Sequence, residues 1–314
     1  MKIFITGITG FAGTHLVQEL SSMGGEVFGT AFPEKPEDWF GCDAENVCFL
    51  DIRKDTDLSA LMAAIQPDWV FHLAAVSNVG YSWENRKETL ETNLNGTFNL
   101  FEAVRKHTPH ARVLFVSSSD VYGVVSPVTE ALDERDEVDP VNPYAMTKIG
   151  GEILCRFYAQ IEGLDIVVAR PFSHTGPGQS SDFVCSDWAF QIAQIEKKNE
   201  NPRIQVGNID IRRDFLDVRD VVKAYILLME NGEKGEVYNI SSGDAVSLRE
   251  ILTLLLSFSA ETIEVEVDPQ RKRKIDIPLL MGDSQKIRKL TCWEPKIPLS
   301  QSLHDLLQYW RSRI

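Results

Sequence analysis

Short apolar runs alternate with amphipathic stretches along the first half of the chain. Runs rich in β-branched and aromatic residues predict buried strands at 2–6, 26–32, 47–52, 69–75, 112–117 and 165–169. Between them, apolar residues recur at helical spacing, as in Leu58, Met62 and Ile65, and long helices are predicted at 84–106 and 144–162. Alternating strands and helices predict an α/β fold built on a doubly wound parallel sheet.

Three glycines spaced by three residues follow the first strand and lead into a helix. Gly7 lets the chain turn tightly off the strand, Gly10 lets the backbone approach a diphosphate, and Gly13 lets the helix lie close to the sheet. The free N–H groups at the positive end of the helix would then hold that diphosphate. The strand, glycine turn and helix together predict a dinucleotide-binding site.

The second half is less regular and starts with a Gly/Pro-rich loop at 171–179, placed over the carboxyl ends of the strands. Helices are predicted at 182–198, 248–257 and 301–311, and residues 237–240 predict a strand that returns to the sheet. We therefore expect a Rossmann-type domain over 1–170, with 212–246 returning to it. Residues 171–211 and 247–314 would form a smaller α/β substrate-binding domain.

Composition and charge narrow the function classes. The 314-residue chain carries a formal charge of −14, which argues against nucleic acid or an anionic membrane as a partner. No apolar run reaches the ~20 residues of a membrane span, and the N-terminus lacks the pattern of a signal peptide. The five cysteines are scattered without a C-x-x-C pair, which predicts free thiols in a reducing, cytoplasmic setting and no metal site.

A tyrosine and a lysine four residues apart supply the candidate chemistry. Tyr144 and Lys148 share one face of a predicted helix. A neighbouring ammonium and a nicotinamide cation would lower the phenol pKa from its ordinary value near ~10. Tyr144 could then exchange a proton with a carbonyl or an alcohol, and Ser118 could hydrogen-bond the same oxygen.

The spacing G-x-x-G-x-x-G, the string SSSDVYG at 117–123 and the Y-x-x-x-K pair together resemble the extended branch of the short-chain dehydrogenase/reductase superfamily. The resemblance implies a Ser118, Tyr144 and Lys148 catalytic triad and a bound NADP(H) or NAD(H). It assigns cofactor contacts to the glycine turn, the ends of the third, fourth and sixth strands, a helical Asn and the catalytic helix: Gly7, Thr9, Gly10, Phe11, Ala12, Gly13, Asp51, Ile52, Leu73, Ala74, Ala75, Asn93, Tyr144, Lys148 and Pro171.

Two further residues bear on this site. The second strand ends in Ala31-Phe32-Pro33-Glu34-Lys35 without a well-placed acid, so the 2′-phosphate of NADPH is not repelled and Lys35 could reach it. This favours NADPH and leaves NADH open. His72 lies within the fourth strand, where we expect a hydrogen-bonded structural residue rather than a catalyst.

The substrate class follows from isolated arginines in an acidic chain. Arg213 and the pair Arg271 and Arg273 could hold a diphosphate from two sides, because the guanidinium suits that geometry. Nucleotide-sugar epimerases and dehydratases carry an Arg-Asp-aromatic motif similar to Arg213-Asp214-Phe215, and their late arginine aligns with Arg273. The resemblance assigns substrate contacts to Ser77, Ser118, Ser119, Asp120, Tyr144, Ser173, Phe183, Arg213 and Arg273.

Longer strings, including ARPFSHTGPGQSSDFV and VGNIDIRRDFLDVRD, are similar to family members that reduce a 4-keto GDP-sugar. The resemblance implies a GDP-sugar substrate, GDP-4-dehydro-6-deoxy-D-mannose, reduced at C4, and a homodimer formed through a four-helix bundle by helices 84–106 and 144–162. Ser173 and Cys292 depart from the usual Asn and Gly of these enzymes.

Three alternatives stay open. A dehydratase of the same family would need an acid/base carboxylate after the catalytic hydroxyl, and Asp120 occupies that place with a side chain one methylene shorter than Glu. The base need not be guanine. A non-catalytic NAD(P)-binding sensor is a more distant alternative, because such proteins typically lose the Tyr or the Lys.

Overall fold

Seven parallel strands form the largest sheet of the computed structural model, which describes residues 1–32, 46–124, 131–198, 202–271 and 275–314. The strands of the described part are β1 (Lys2–Thr6), β2 (Glu26–Ala31), β3 (Val47–Phe49), β4 (Trp69–His72), β5 (Arg112–Val116), β6 (Asp165–Pro171), β7 (Ser173–Thr175), β8 (Arg203–Val206), β9 (Arg212–Asp217), β10 (Val237–Ile240), β11 (Ala245–Ser247), β12 (Glu264–Val267) and β13 (Leu279–Leu280). The large sheet has the order β3-β2-β1-β4-β5-β6-β10. This order reverses between β1 and β4, which is where doubly wound sheets bind ligands.

Helices cover both faces of this sheet. The described helices are α1 (Phe11–Ser22), α2 (Asp55–Ile65), α3 (Val79–Glu84), α4 (Arg86–Leu90), α5 (Gly96–His107), α6 (Pro143–Gln160), α7 (Val184–Lys198), α8 (Val218–Asn231), α9 (Leu248–Ser257), α10 (Gln285–Thr291) and α11 (Leu299–Arg313). Ile3 and Ile5 pack against α1 and α8, whereas Phe4 packs on the opposite side with α2, α5 and α6. Successive side chains of a strand point to opposite faces, so a strand buried on both faces is apolar throughout. The expected Rossmann-type doubly wound sheet is confirmed.

The helical stretch predicted at 84–106 is present from Arg86 to His107. Asn85 has a non-helical backbone (φ −117°, ψ 51°) and separates this stretch from α3. Within the stretch, residues Glu91–Asn95 form a π-helical turn between α4 and α5. This π turn contains Asn93, whose side chain bonds outside the helix. β3 ends at Phe49 rather than at Ile52, because the chain turns there toward Asp51.

A second region is built on smaller sheets. β9 pairs with β11, β13 and β7, whereas β12 pairs with β8. A separate apolar cluster is formed by residues of α7, α9 and α11, including Trp188, Leu252 and Leu306. The expected return of 212–246 to the large sheet holds for α8 and β10. The strands at its two ends, β9 and β11, pair in the four-stranded sheet instead.

Some local features bear on sequence expectations. Cys292, which stands where relatives usually carry glycine, has φ 58° and ends α10 in the left-handed region. Glycine suits this position, because it adopts positive φ without a Cβ clash.

The described cysteines are free thiols. Among the described helices, none is long and apolar enough to span a membrane.

Candidate active site

A cleft of about 1580 Å³ runs along the carboxyl ends of the large sheet and continues into the second region. It is bordered by the residues that follow β1, β2, β4, β5 and β6, and then by the loop before α7 and the start of β9. Its volume exceeds the roughly 300–1,000 Å³ of a typical small-molecule site. It can therefore hold a dinucleotide and a second ligand together.

The glycine turn forms one end of the cleft and fits a dinucleotide. Gly7 has φ +72°, and a Cβ there would lie 2.9 Å from the backbone of Ala74. A Cβ on Gly13 would lie 2.5 Å from the Gly7 carbonyl oxygen, so this close packing requires glycine. Gly10 caps α1 without a side-chain hydrogen bond. The first N–H groups of α1 are thus available for a diphosphate, and Thr9, Gly10, Phe11, Ala12 and Gly13 line the cleft.

The side of the cleft near β2 and β3 contains Phe32, Asp51 and Ile52. Arg53 Nε lies 2.9 Å from both carboxylate oxygens of Asp51, and these hydrogen bonds hold the Asp51 pKa below its ordinary value. The Arg53 guanidinium also lies over the Phe32 ring. Lys35, the proposed contact for a 2′-phosphate, lies outside the described residues.

Leu73, Ala74 and Ala75 line the cleft after β4, and a buried histidine supports them from behind. Thr6 Oγ1 accepts a hydrogen bond from the Ala74 N–H and lies 2.7 Å from His72 Nδ1. His72 Nε2 lies 2.8 Å from Thr97 Oγ1. Burial lowers the His72 pKa to about 3, so the ring is neutral. The expectation of a hydrogen-bonded structural histidine is confirmed.

Asn93 lies behind the cleft wall and fixes the backbone that follows Ala75. Its Oδ1 accepts from the Val76 N–H at 2.7 Å, and its Nδ2 donates to the Val76 carbonyl at 3.0 Å and to Thr147 Oγ1 at 2.9 Å. Thr147 Oγ1 in turn donates to the Tyr144 carbonyl. Asn93 thus connects the cofactor side of the cleft to the catalytic helix through protein atoms.

The candidate catalytic residues converge on the cleft from two elements. Asn142 caps α6 by accepting from the Ala145 N–H at 2.8 Å, and Pro143 occupies the first turn, so Tyr144 lies at the start of the helix. One turn later, the Lys148 ammonium lies 5.8 Å from the centroid of the Tyr144 ring and donates to the Val116 carbonyl at 2.7 Å. Ser118 lies two residues after β5, accepts a hydrogen bond from the Asp120 N–H, and lies close enough to Tyr144 to lower the phenol pKa.

Burial shifts the titration of both residues. It raises the Tyr144 pKa well above its ordinary value, the nearby Asp120 carboxylate raises it further, and the hydrogen bond with Ser118 opposes the shift. Burial also lowers the Lys148 pKa to about 8, against smaller opposing effects of Cys155 and Glu152. We expected Lys148 to lower the Tyr144 pKa. In the structure, burial has the larger effect on the Tyr144 pKa, because Lys148 is hydrogen-bonded to the Val116 carbonyl rather than to the phenol.

The far half of the cleft contains most of the expected substrate residues: Ser77, Ser119, Asp120, Ser173, Phe183 and Arg213. Arg213 is buried, and its guanidinium donates to the Ile277 carbonyl at 2.6 Å. Arg273 lies outside the described residues. Arg271 does line the cleft, where it pairs with Asp187 at 2.6 Å.

Sequence reasoning missed several residues of this half. Asp187, on the first turn of α7, and Asn208, before β9, line the cleft although no motif marks them. Trp83 and His174 also line it. The string around His174 carried the resemblance to relatives, but only the fold shows that this ring stacks on Phe11 beside the glycine turn.

Comparison with known proteins identifies the family. The family model described as GDP-mannose 4,6 dehydratase matches residues 4–306. The chain is 35% identical to the GDP-6-deoxy-D-mannose reductase of Pseudomonas aeruginosa over 313 residues, covering all of this chain and 98% of the relative. It is 28% identical to the dTDP-4-dehydro-6-deoxy-D-allose reductase of a Streptomyces species, covering 98% of this chain and 96% of that one.

Solved structures agree with this result. RMD from Pseudomonas aeruginosa complexed with NADPH superposes with a TM-score of 0.87 at 34% identity, covering all of this chain and 99% of that one. The UDP-glucose 4-epimerase of Thermus thermophilus, in complex with NAD, gives a TM-score of 0.91 at 25% identity over both complete chains.

Fold and site together define an NAD(P)-dependent oxidoreductase of the extended short-chain dehydrogenase/reductase type. Within that class, the chain belongs to the GDP-mannose 4,6 dehydratase family.

Proposed function

We propose that this enzyme reduces the 4-keto group of GDP-4-dehydro-6-deoxy-D-mannose to give GDP-6-deoxy-D-mannose (GDP-D-rhamnose). The observation that carries the proposal is the buried Tyr144, which lies near Ser118 and one helical turn from Lys148, with all three residues lining the cleft. Similarity to the Pseudomonas aeruginosa reductase over the full chain supports the substrate assignment.

In this mechanism each residue of the triad has a distinct role. The reduced dinucleotide, when bound, supplies the hydride. Tyr144 donates its proton to the oxygen that forms at C4, and Ser118 hydrogen-bonds the same oxygen. Lys148 holds the ribose next to the nicotinamide and stabilises the tyrosinate left after proton transfer, since an ammonium favours a nearby negative charge.

We propose that Arg213, which lines the cleft, binds the diphosphate of the nucleotide sugar. Arg273 is proposed as the second contact, and Arg271, from the same segment, already lines the cleft. Ser77, Ser119, Asp120, Ser173 and Phe183 are proposed to surround the sugar. On this division, 1–170 with the returning residues 212–246 form the dinucleotide-binding domain, and 171–211 with 247–314 form the substrate domain. Ser77, Ser119, Asp120 and Arg213 then reach the nucleotide sugar from the dinucleotide-binding domain.

A second candidate is 4,6-dehydration of GDP-mannose, and one observation favours it. Asp120 lines the cleft close enough to Tyr144 to influence the phenol pKa. A dehydratase needs an acid/base group of this kind, whereas a reductase needs only the phenol and the hydride. A non-catalytic sensor is disfavoured, because both Tyr144 and Lys148 are present and line the cleft.

A coupled assay separates these candidates. The enzyme receives GDP-mannose with or without an authentic 4,6-dehydratase, and oxidation of NADPH or NADH is followed at the nicotinamide absorbance. A reductase oxidises the cofactor only when the dehydratase is present. Formation of the 4-keto sugar from GDP-mannose alone would establish the dehydratase. Absence of both reactions would refute the GDP-mannose assignment.

We also propose a homodimer formed by α4, α5 and α6. Large apolar side chains on these helices are exposed: Leu90, Phe98, Met146, Ile153 and Phe157. Several large apolar side chains exposed on neighbouring helices are typical of a protein interface. Light scattering tests the proposal, because Ile153→Glu should convert the dimer to a monomer.

Free cysteines support our further proposal that the enzyme works in the cytoplasm.

A further inference from the structure

One hydrogen bond connects the cofactor helix to the loop over the second half of the cleft. His15 lies on α1, just after the glycine turn, and its Nε2 is 2.8 Å from the Pro177 carbonyl oxygen. A carbonyl oxygen can only accept, so His15 Nε2 carries the proton and donates it. Pro177 belongs to the loop between β7 and α7.

Two ring contacts reinforce this connection. Phe11, whose backbone begins α1 beside the diphosphate site, stacks on the His174 ring with centroids 6.0 Å apart and planes at 9°. The same Phe11 meets the His15 ring edge-on, at 5.6 Å. Phe11 and His174 both line the cleft. α1 thus contacts β7, directly before the loop, through a small cluster of three rings.

The loop is also held from the other side. The Ser302 hydroxyl of α11 lies 2.6 Å from Asp217 Oδ2 and 3.2 Å from the Thr175 carbonyl oxygen, so the segment just before the loop lies against the second region. Gly176, with φ 154°, packs against Val218, where a Cβ would lie 2.9 Å from Cγ1. After this fixed start, residues 178–183 continue along the cleft toward α7.

We propose that His15 is a positioning residue that couples the two halves of the cleft: by bonding Pro177, it makes the order of loop residues 178–183 depend on dinucleotide binding at the glycine turn. A bound dinucleotide restricts the motion of Phe11 and of the first turn of α1. Through its hydrogen bond to Pro177, His15 then restricts the motion of the loop. The loop is then shaped before the second ligand arrives, which gives an ordered sequence of binding. The proposed function enters only in naming that ligand a nucleotide sugar.

Two substitutions separate this role from general packing. His15→Leu provides a side chain of similar reach that has no hydrogen-bond donor. His15→Gln keeps an N–H donor near the position of Nε2. One hydrogen bond of this type changes a local opening equilibrium by about 2- to 10-fold. We therefore expect the coupling to be lost in the leucine variant and largely retained in the glutamine variant.

Hydrogen–deuterium exchange of the full-length protein, with and without saturating NADPH, tests the proposal without any sugar substrate. NADPH should slow exchange at 7–14 in the wild type and in both variants. It should slow exchange at 178–183 by about 2- to 10-fold in the wild type and in His15→Gln, but not in His15→Leu.

Three results would overturn the proposal. The first is no effect of NADPH on 178–183 in the wild type, and the second is an unchanged effect in His15→Leu. The third is loss of NADPH protection at 7–14 in His15→Leu, because His15 would then act on the cofactor site itself. None of these results depends on whether the substrate is a GDP-sugar.

Discussion

Replacing Lys148 by methionine should stabilise the cofactor-free protein at neutral pH and destabilise it at high pH. Lys148 is 5% exposed, and burial lowers its pKa from 10.5 to about 8. Between these two pH values the folded protein binds fewer protons than the unfolded chain does. The stability of the wild type should therefore rise with pH through this window, and below pH 8 the full unfavourable free energy of burying the charge is present.

The size of the effect follows from the pKa change. At about 1.36 kcal/mol per pKa unit, the shift corresponds to about 3 kcal/mol below pH 8. Lys148→Met removes this penalty but also removes the 2.7 Å hydrogen bond to the Val116 carbonyl, a loss of about 1.5 kcal/mol. The variant should therefore be more stable by about 1.5 kcal/mol at pH 7. By pH 10 the wild type recovers about 2.5 kcal/mol, so the difference changes sign near pH 9.

Urea unfolding at pH 7, 8, 9 and 10, followed by tryptophan fluorescence, measures this difference. Titrating groups distant from Lys148 are common to both proteins and cancel in the subtraction. The same substitution at Lys223, exposed on α8, reports the effect of losing a surface lysine. A difference that stays constant within about 0.5 kcal/mol from pH 7 to pH 10 would refute the assignment of Lys148 as a buried, destabilising cation.

Three further substitutions test other parts of the site and fold. Tyr144→Phe removes the proton donor but keeps the ring, so kcat should fall by about 10²- to 10⁴-fold with little change in NADPH affinity, as steady-state kinetics and a binding titration will show. Gly13→Ala places a methyl group 2.5 Å from the Gly7 carbonyl, and NADPH affinity should fall by about 10-fold or more in the same titration. Cys292→Gly relieves the positive φ at the end of α10 and should raise the free energy of unfolding by about 0.5–1 kcal/mol in urea.

The large sheet and the glycine turn could be predicted from sequence because their determinants are local. A strand buried on both faces is uniformly apolar, and a tight turn at a ligand requires glycine, so residues 2–13 carried both signals. Tyr144 and Lys148 were similarly accessible, since a spacing of four places two side chains on one helix face.

Features set by distant contacts could not be predicted in this way. Asn93, in the π turn, is hydrogen-bonded to Val76, 17 residues away. Local helix propensity does not depend on such a distant contact and could not predict it. The pairing of β9 with β7 and β11 depends on how the second region folds. The bond between His15 and Pro177 spans 162 residues and has no sequence signal.

The opposite pKa shifts of Tyr144 and Lys148 bear directly on the direction of the reaction. A reductase must begin its cycle with a protonated phenol, and burial together with Asp120 keeps the proton on Tyr144. A base for elimination would instead need a carboxylate free to accept a proton from the sugar carbon. The side chain of Asp120 is one methylene shorter than that of Glu, and its charge favours the protonated form of Tyr144. The same carboxylate that could suggest a dehydratase therefore supports proton donation, and the site as a whole fits reduction better than elimination.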